Sequence, residues 1–289
     1  MKIALYVLGE KGYRAIASIP QKYLAIIERI VIGKDNKVKN DFSEDIIKIC
    51  QEKMISHTFD DVIRVEYEFI ITIGWRKLLS IQKKQTLIVL HDSILPRYRG
   101  FNPLVTSLIN GDSEIGVTAV FGAEAYDTGA IIDVEKISIE YPITIAKAIS
   151  KISVCYAKLL NRIFKKIEED SLLSIPQNQR DATYSLWRDN EDYRIDWGWN
   201  AEKIKRMVDA VGYPYNGAKT TMNESEYTIV KAITIPDVTI ENRDVGKVLF
   251  KEEGKLVVVC GQGLLRLDQV LNENGNLETF EHKFRLRFV

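Results

Sequence analysis

The first half of the chain alternates short apolar runs with segments whose apolar residues recur every three or four positions. The runs are Ile3 to Leu8, Arg29 to Gly33, Phe69 to Gly74 and Thr86 to His91, and the spacing between them predicts helices near Gly12 to Ile19 and from Ser43 to Lys53. Short runs with both faces apolar suit buried strands, and their alternation with helices predicts a mostly parallel sheet covered by helices. Gly9 and Gly12 after the first run leave only a Gly-x-x-Gly. That falls short of a dinucleotide fingerprint and reads as a tight strand-to-helix turn. Beyond His91, a loop rich in Pro, Arg and Gly precedes a helix near Asn102 to Asn110 and strands around Val117 to Phe121 and Ile131 to Val134. Ile145, Ile149, Ile152, Tyr156, Leu159, Ile163 and Ile167 then step by three and four. This is one apolar stripe on a long helix, with Thr144 as its N-terminal cap.

The stretch from Glu168 to Asp181 breaks this period with Pro176 and Gln177-Asn178-Gln179, and is expected to be a linker. It divides the chain into residues 1–180 and 181–289. The second part opens with a short helix from Ala201 to Val211, preceded by Asn200 and stopped by Gly212. Strands follow at Lys219 to Met222, Tyr227 to Ile235, Gly246 to Phe250, Leu256 to Cys260 and Gly263 to Val270. Short strands at that spacing predict a small closed or half-closed β barrel.

Composition narrows the function classes. A length of 289 residues suits two domains. Forty basic and forty acidic side chains cancel, so no overall field draws the protein to nucleic acid. The start of the chain carries too short an apolar run for a signal peptide, and no stretch approaches the ~20 apolar residues of a membrane span. Cys50, Cys155 and Cys260 are far apart and set in apolar segments, as core thiols of a reducing cytoplasm would be. Neither they nor His57, His91 and His282 have the spacing of metal ligands, so no metal is expected.

Chemistry concentrates between Leu90 and Asp133. A histidine at the carboxyl end of a strand, followed by Pro96, Arg97, Tyr98, Arg99 and Gly100, stands where open parallel sheets bind ligands. Asp127, before Thr128-Gly129, reads either as a turn residue or as the partner of His91. The pattern His91, Ser93-Ile94-Leu95-Pro96, Arg99-Gly100, Pro103 and Asp127-Thr128-Gly129 resembles the signature of the folate-dependent formyltransferases. Ile71-Thr72-Ile73-Gly74-Trp75, Arg194-Ile195-Asp196-Trp197 and Gly246 to Leu267 are similar to further parts of that family. The resemblance implies a Rossmann-like catalytic domain, an OB-like C-terminal domain, and 10-formyltetrahydrofolate as co-substrate. It also implies His91 and Asp127 as the catalytic pair. Amine attack on the formyl carbon makes a tetrahedral oxyanion and requires a proton to leave the amine. His91 would take that proton or face the oxyanion as a cation.

One position departs from the pattern. The family carries an asparagine two residues before the histidine, donating to the oxyanion, and here that position is Val89. Three explanations stand: His91 with a backbone amide or water serves the oxyanion, Asn102 reaches in from the following loop, or the protein binds ligands without turning them over.

The resemblance also bears on the ligands. Gly74, Trp75, Arg76, Arg99, Ala125 and Asp127 are the residues expected at the folate. His91-Asp92-Ser93, where methionyl-tRNA formyltransferases usually have His-Pro-Ser, is most similar to enzymes that formylate UDP- or dTDP-linked amino sugars for surface polysaccharides. A diphosphate needs cations and a base needs flat side chains, which points to Arg97, Tyr98, Asn102, Trp187, Arg188, Tyr213 and Tyr215 as substrate contacts. Methionyl-tRNA formylation and a catalytically impaired folate- or nucleotide-binding regulator remain the alternatives. A cytoplasmic protein, with homodimerisation open, completes the expectation.

Overall fold

The computed structural model describes residues 1–36, 38–280 and 285–289; His282, one of the histidines weighed as a metal ligand, lies outside them. The elements run β1 (Ile3–Val7), α1 (Gly9–Ala17), α2 (Gln21–Leu24), β2 (Ile27–Ile32), α3 (Ser43–Glu52), β3 (His57–Thr58), β4 (Phe69–Ile73), β5 (Thr86–His91), β6 (Arg99–Gly100), α4 (Pro103–Asn110), β7 (Glu114–Phe121), β8 (Ile131–Ser138), α5 (Ile145–Glu168) and β9 (Tyr184–Ser185). Then come α6 (Ala201–Ala210), β10 (Ala218–Met222), β11 (Ser225–Ile235), β12 (Val248–Glu252), β13 (Lys255–Val259) and β14 (Leu264–Asn272).

The chain forms two compact units. The first holds residues 1–104, 113–139 and 147–187. The second holds 105–112, 140–146 and 188–289. The stretch expected to be a linker is instead hydrogen-bonded into the first unit. Ile175 exchanges two backbone bonds with Ile131, each of 2.8 Å, and Thr183 donates to the Pro96 carbonyl at 3.2 Å. β9 then pairs with β6, so the divide comes at Trp187, seven residues later than expected.

The sheet of the first unit has the order β3-β2-β1-β4-β5-β7-β8. The first five strands are parallel, and β7 and β8 join antiparallel. A parallel pair needs a crossover of about a dozen residues or more, and the connection from Phe121 to Ile131 is too short for one. Every residue of β1 is buried, which matches its unbroken apolar run. On α5, Ile145, Ile149, Ile152, Tyr156, Leu159, Ile163 and Ile167 are all buried. At the β1–α1 turn Gly9 takes φ +69, and a Cβ on Gly12 would stand 2.9 Å from that of Val7, so both glycines serve a close turn. From β1 the chain continues to β2 on one side while β4 lies on the other. This reversal opens a crevice at the carboxyl ends of β1 and β4, the place where doubly wound sheets take ligands.

In the second unit an antiparallel sheet runs β10-β11-β14-β13-β12. Its two edges are joined by residues 285–289: Val289 exchanges backbone bonds with Thr221 on β10, and Val248 on β12 donates to Leu286. This makes the β-rich second domain barrel-like. Asn200 caps α6 by accepting from the Lys203 amide at 2.8 Å. Trp197 donates through Nε1 to Thr220 at 3.0 Å inside the barrel.

Candidate active site

His91 is the last residue of β5, with its side chain only 9% exposed. Its Nε2 lies 2.8 Å from the Tyr98 carbonyl oxygen. A carbonyl can only accept, so Nε2 carries a hydrogen. Nδ1 faces Asp127 Oδ1 at 3.4 Å. The other carboxylate oxygen of Asp127 accepts from the Gly100 amide at 2.8 Å. The imidazole is thus fixed on one side by a carbonyl, and its second nitrogen faces a carboxylate. That is the arrangement of a general base with a charge-stabilising neighbour.

The Asp127 loop is held by a brace that starts at Arg99. Arg99 has no exposed surface; its guanidinium donates twice to Gln177 Oε1, at 3.0 and 2.7 Å, and to Gln179 Oε1 at 2.8 Å. Gln177 in turn donates through Nε2 to the carbonyls of Asp127 and Gly129, both at 2.7 Å. Arg99 was expected at the folate; its side chain is sealed and committed to the polar segment after α5. Asp127 itself has φ +53, a left-handed conformation that the brace stabilises.

A second buried cluster lies behind His91. Asp92 pairs with Lys11 of α1 and accepts from the Tyr156 hydroxyl of α5. Tyr156 also approaches the Leu90 carbonyl at 3.2 Å and accepts from the Gly74 amide. Burial pushes the Asp92 carboxyl up, but Lys11 and Tyr156 outweigh it and hold the group below the usual carboxylate value. Burial, then Asp92, push the Tyr156 hydroxyl well above its ordinary value, so it stays protonated as a donor. This cluster ties the ends of β4 and β5 to α1 and α5.

The other predicted residues fall as follows. Gly74 has φ +65 and sits at the crevice, where an added Cβ would lie 3.0 Å from the Leu8 carbonyl. Trp75 stacks edge-on against Tyr6 with centroids 5.2 Å apart, and its indole nitrogen is buried without a partner. Arg76 pairs with Asp35 at 2.7 Å. Ala125 is exposed, and its carbonyl accepts from the Thr128 hydroxyl at 2.9 Å. Arg97 lies over the Tyr98 ring and donates to its hydroxyl at 2.8 Å, while the Tyr98 ring itself is buried. Tyr98 therefore serves His91 through its backbone. Asn102 is exposed at φ +49. Val89, half-buried on β5, stands opposite Thr72 of β4 and Val120 of β7. Trp187 is exposed at the end of the first unit; Arg188, Tyr213 and Tyr215 belong to the second, where Arg188 donates to the Asp192 carbonyl at 3.2 Å. Lys11, Tyr156 and Gln177 were not singled out from the sequence. Tyr156 did leave a signal, since a hydroxyl on an apolar helix stripe needs a buried acceptor.

Cys50, Cys155 and Cys260 are buried and free, and burial raises the thiols of Cys50 to about 11 and Cys260 to about 12. Among the described residues no group of three or more His, Cys, Asp or Glu is placed to hold a metal, and no helix is long and apolar enough to cross a membrane.

A doubly wound sheet with an imidazole–carboxylate pair at the strand ends beside its switch point defines an α/β protein with a ligand-type crevice and a group able to move a proton there. Comparison with known proteins makes the class particular. Residues 34–160 match the formyl transferase model and residues 188–285 match the formyl transferase C-terminal domain, so the chain belongs to the formyl transferase family. Methionyl-tRNA formyltransferase of Staphylococcus epidermidis is 29% identical over 210 residues, 71% of this chain and 66% of that protein. The enzyme of the same name from Enterococcus faecalis is 28% identical over 269 residues, 91% of this chain and 85% of that one. Among solved structures, an N-formyltransferase from Helicobacter canadensis in complex with folinic acid and dTDP-3-aminofucose is similar with a TM-score of 0.69 at 18% identity, covering 92% of this chain and 98% of that one. A methionyl-tRNA formyltransferase from Clostridium thermocellum has a TM-score of 0.56 at 16% identity, covering 89% and 96%.

Proposed function

We propose that this chain transfers the formyl group of 10-formyltetrahydrofolate to the amine of a nucleotide-linked amino sugar. The observation that carries the transfer is the His91–Asp127 pair at 3.4 Å, with His91 anchored by the Tyr98 carbonyl. As the amine nitrogen bonds to the formyl carbon, the pair takes the amine proton; the bond to N10 of tetrahydrofolate then breaks and a proton passes to that nitrogen. Gly74, Trp75, Arg76 and Ala125 are the residues assigned to the folate, the first of them at the switch-point crevice. Arg97, Asn102 and Trp187 of the first unit are assigned to the nucleotide and sugar.

Three observations support a sugar over a tRNA. The net charge is zero, Asp92 follows the histidine as a buried carboxylate, and the similar structures include proteins described with dTDP-3-aminofucose and with dTDP. Methionyl-tRNA is the second reading, favoured by the names of the sequence relatives. The test is a panel of dTDP- and UDP-linked amino sugars beside methionyl-tRNA, each with 10-formyltetrahydrofolate and with His91→Ala as control. Turnover of a sugar, lost in the variant, supports the reading. Formylation of methionyl-tRNA alone, with affinity falling steeply with salt, replaces it.

A further inference from the structure

When an amine adds to a formyl carbon, the π electrons of the carbonyl move to its oxygen, and that oxyanion needs a donor. Val89, two residues before His91 on the same strand face, has none to give. The register of the sheet places a donor next to it. Val89 is the partner of Thr72 in the parallel β4–β5 pair. Register partners share a face, as do residues two apart along a strand. Thr72, Val89 and His91 therefore stand on one side of the sheet. With strands about 4.8 Å apart and two residues spanning about 6.6 Å, the Thr72 backbone lies roughly 8 Å from that of His91, a gap the width of a small acyl group between two side chains.

The polar side chains in register with Thr72 on β1 and with His91 on β7 are committed. Tyr6, the partner of Thr72 on β1, approaches the Asp61 carbonyl at 3.3 Å. Thr118, opposite His91 on β7, donates to the Ser93 carbonyl at 2.6 Å and accepts from the Leu95 amide at 3.1 Å. Thr72 is 6% exposed, and among the described residues its hydroxyl makes no hydrogen bond. The unpartnered hydroxyls fully sealed from solvent belong to Tyr67 and Ser107, so that of Thr72 keeps an opening. A nearly buried hydroxyl without a partner, beside the catalytic imidazole and at the carboxyl end of the sheet, is a group awaiting a ligand atom.

We propose that the Thr72 hydroxyl donates to the formyl oxygen as it becomes the oxyanion, replacing the donor that Val89 lacks. The carbon–nitrogen bond to the amine forms, the oxygen holds the displaced electron pair against Thr72, and the pair returns to restore C=O as the bond to N10 of tetrahydrofolate breaks. The amine proton leaves through His91, and N10 receives one. This assignment rests on the formyltransferase reading above. It is tested with whichever amine of the panel the parent chain formylates.

Thr72→Val keeps shape and removes the hydroxyl. The expected result is a fall in kcat of about a hundredfold, the usual loss of one oxyanion donor. KM for the amine and the Kd for 5-formyltetrahydrofolate, an unreactive folate, should stay within about twofold of the parent by the same argument. Thr72→Ser should retain most of the rate, and Val89→Asn added to Thr72→Val should restore at least about tenfold of it, because the donor returns one strand over. Unchanged kcat in Thr72→Val overturns the assignment. So does a parallel loss of folate affinity, which marks a lining residue. A parent chain that formylates no amine sinks the enzymatic reading and this assignment together, an outcome distinct from an active parent with an indifferent Thr72→Val.

Discussion

Replacing Asp92 by Asn removes the counter-charge of Lys11 from a nearly closed site. The two side chains are 14% and 18% exposed, and Tyr156 keeps an acceptor in the amide. What is lost is the charge, leaving an ammonium among β1, β4, β5 and α5. Breaking a buried pair from one side costs about 3–5 kcal/mol. The residual exposure of Lys11 lets it reach water in part, so the low end, about 3 kcal/mol, applies. Against a total stability of about 5–15 kcal/mol this is a large share. Urea unfolding reads it directly: with a slope of about 2 kcal/mol per molar, the midpoint should fall by roughly 1.5 M at neutral pH.

The deficit should also depend on pH in a defined direction. The folded carboxyl lies below its ordinary value of 3.8, so the pair contributes its full stability above that value and loses it as pH falls through the folded value. Parent and variant should therefore begin to converge as pH falls below 3.8, and meet once it has passed the folded value. Lys11→Met added to Asp92→Asn should recover much of the loss at neutral pH, since no unpaired charge is left. A neutral-pH difference under about 0.5 kcal/mol, or one that does not shrink as pH falls below 3.8, refutes the claim that charge compensation holds this cluster together.

Gln177→Leu removes both bonds to the Asp127 loop and leaves Arg99 without its main acceptor; kcat should fall at least about tenfold while folate affinity changes little, since only the orientation of the catalytic pair is loosened. Steady-state kinetics beside folate titration would separate the two, and an equal loss in both would show that the brace acts on binding instead. Gly129→Ala places a methyl 1.8 Å from the Phe121 carbonyl oxygen, whereas a Cβ at Gly254 meets nothing within 4 Å and carries only the strain of φ +76. Thermal unfolding should show the first substitution to be destabilising by more than about 3 kcal/mol and the second by about 1. Similar midpoints for the two would contradict this.

Much of the fold was legible because its elements repeat a local rule. The stripe on α5 needs only the helical period, and the buried parallel strands need only unbroken apolar runs. The place of His91 at the end of β5 was legible, since an apolar run ends there ahead of a turn-rich loop. The antiparallel attachment of β7 and β8 was not, since strands buried on both faces look alike whatever their direction. The segment around Gln177 looked like a linker because polarity is the signature of solvent, and here the polarity is spent on Arg99 and two carbonyls 48 and 50 residues away. Asp92 raised the same difficulty. Its partners Lys11 and Tyr156 lie 81 and 64 residues off in opposite directions, and no local spacing reveals a charge paired across the sheet. Arg99 is a related case: an arginine near a histidine at a strand end suggests an anion site, and no local spacing reveals that its guanidinium is bonded to Gln177 and Gln179.

The brace from Arg99 through Gln177 to Asp127 also sets where the sheet-bearing unit ends as a transferable piece. The histidine, the sheet and the long helix are all encoded before Glu168, yet the loop that orients the carboxylate is fastened by side chains translated afterwards, ending with the β9 pairing at Tyr184 and Ser185. During synthesis the crevice at the strand ends is therefore complete in sequence before the His91–Asp127 pair is aligned. A graft of this domain cut at the end of the helix would carry the crevice without the alignment. Extending the same graft through Ser185 brings the fastening with it, so an exchange of C-terminal domains between relatives has its natural seam at Trp187 rather than in the polar stretch that resembles a hinge.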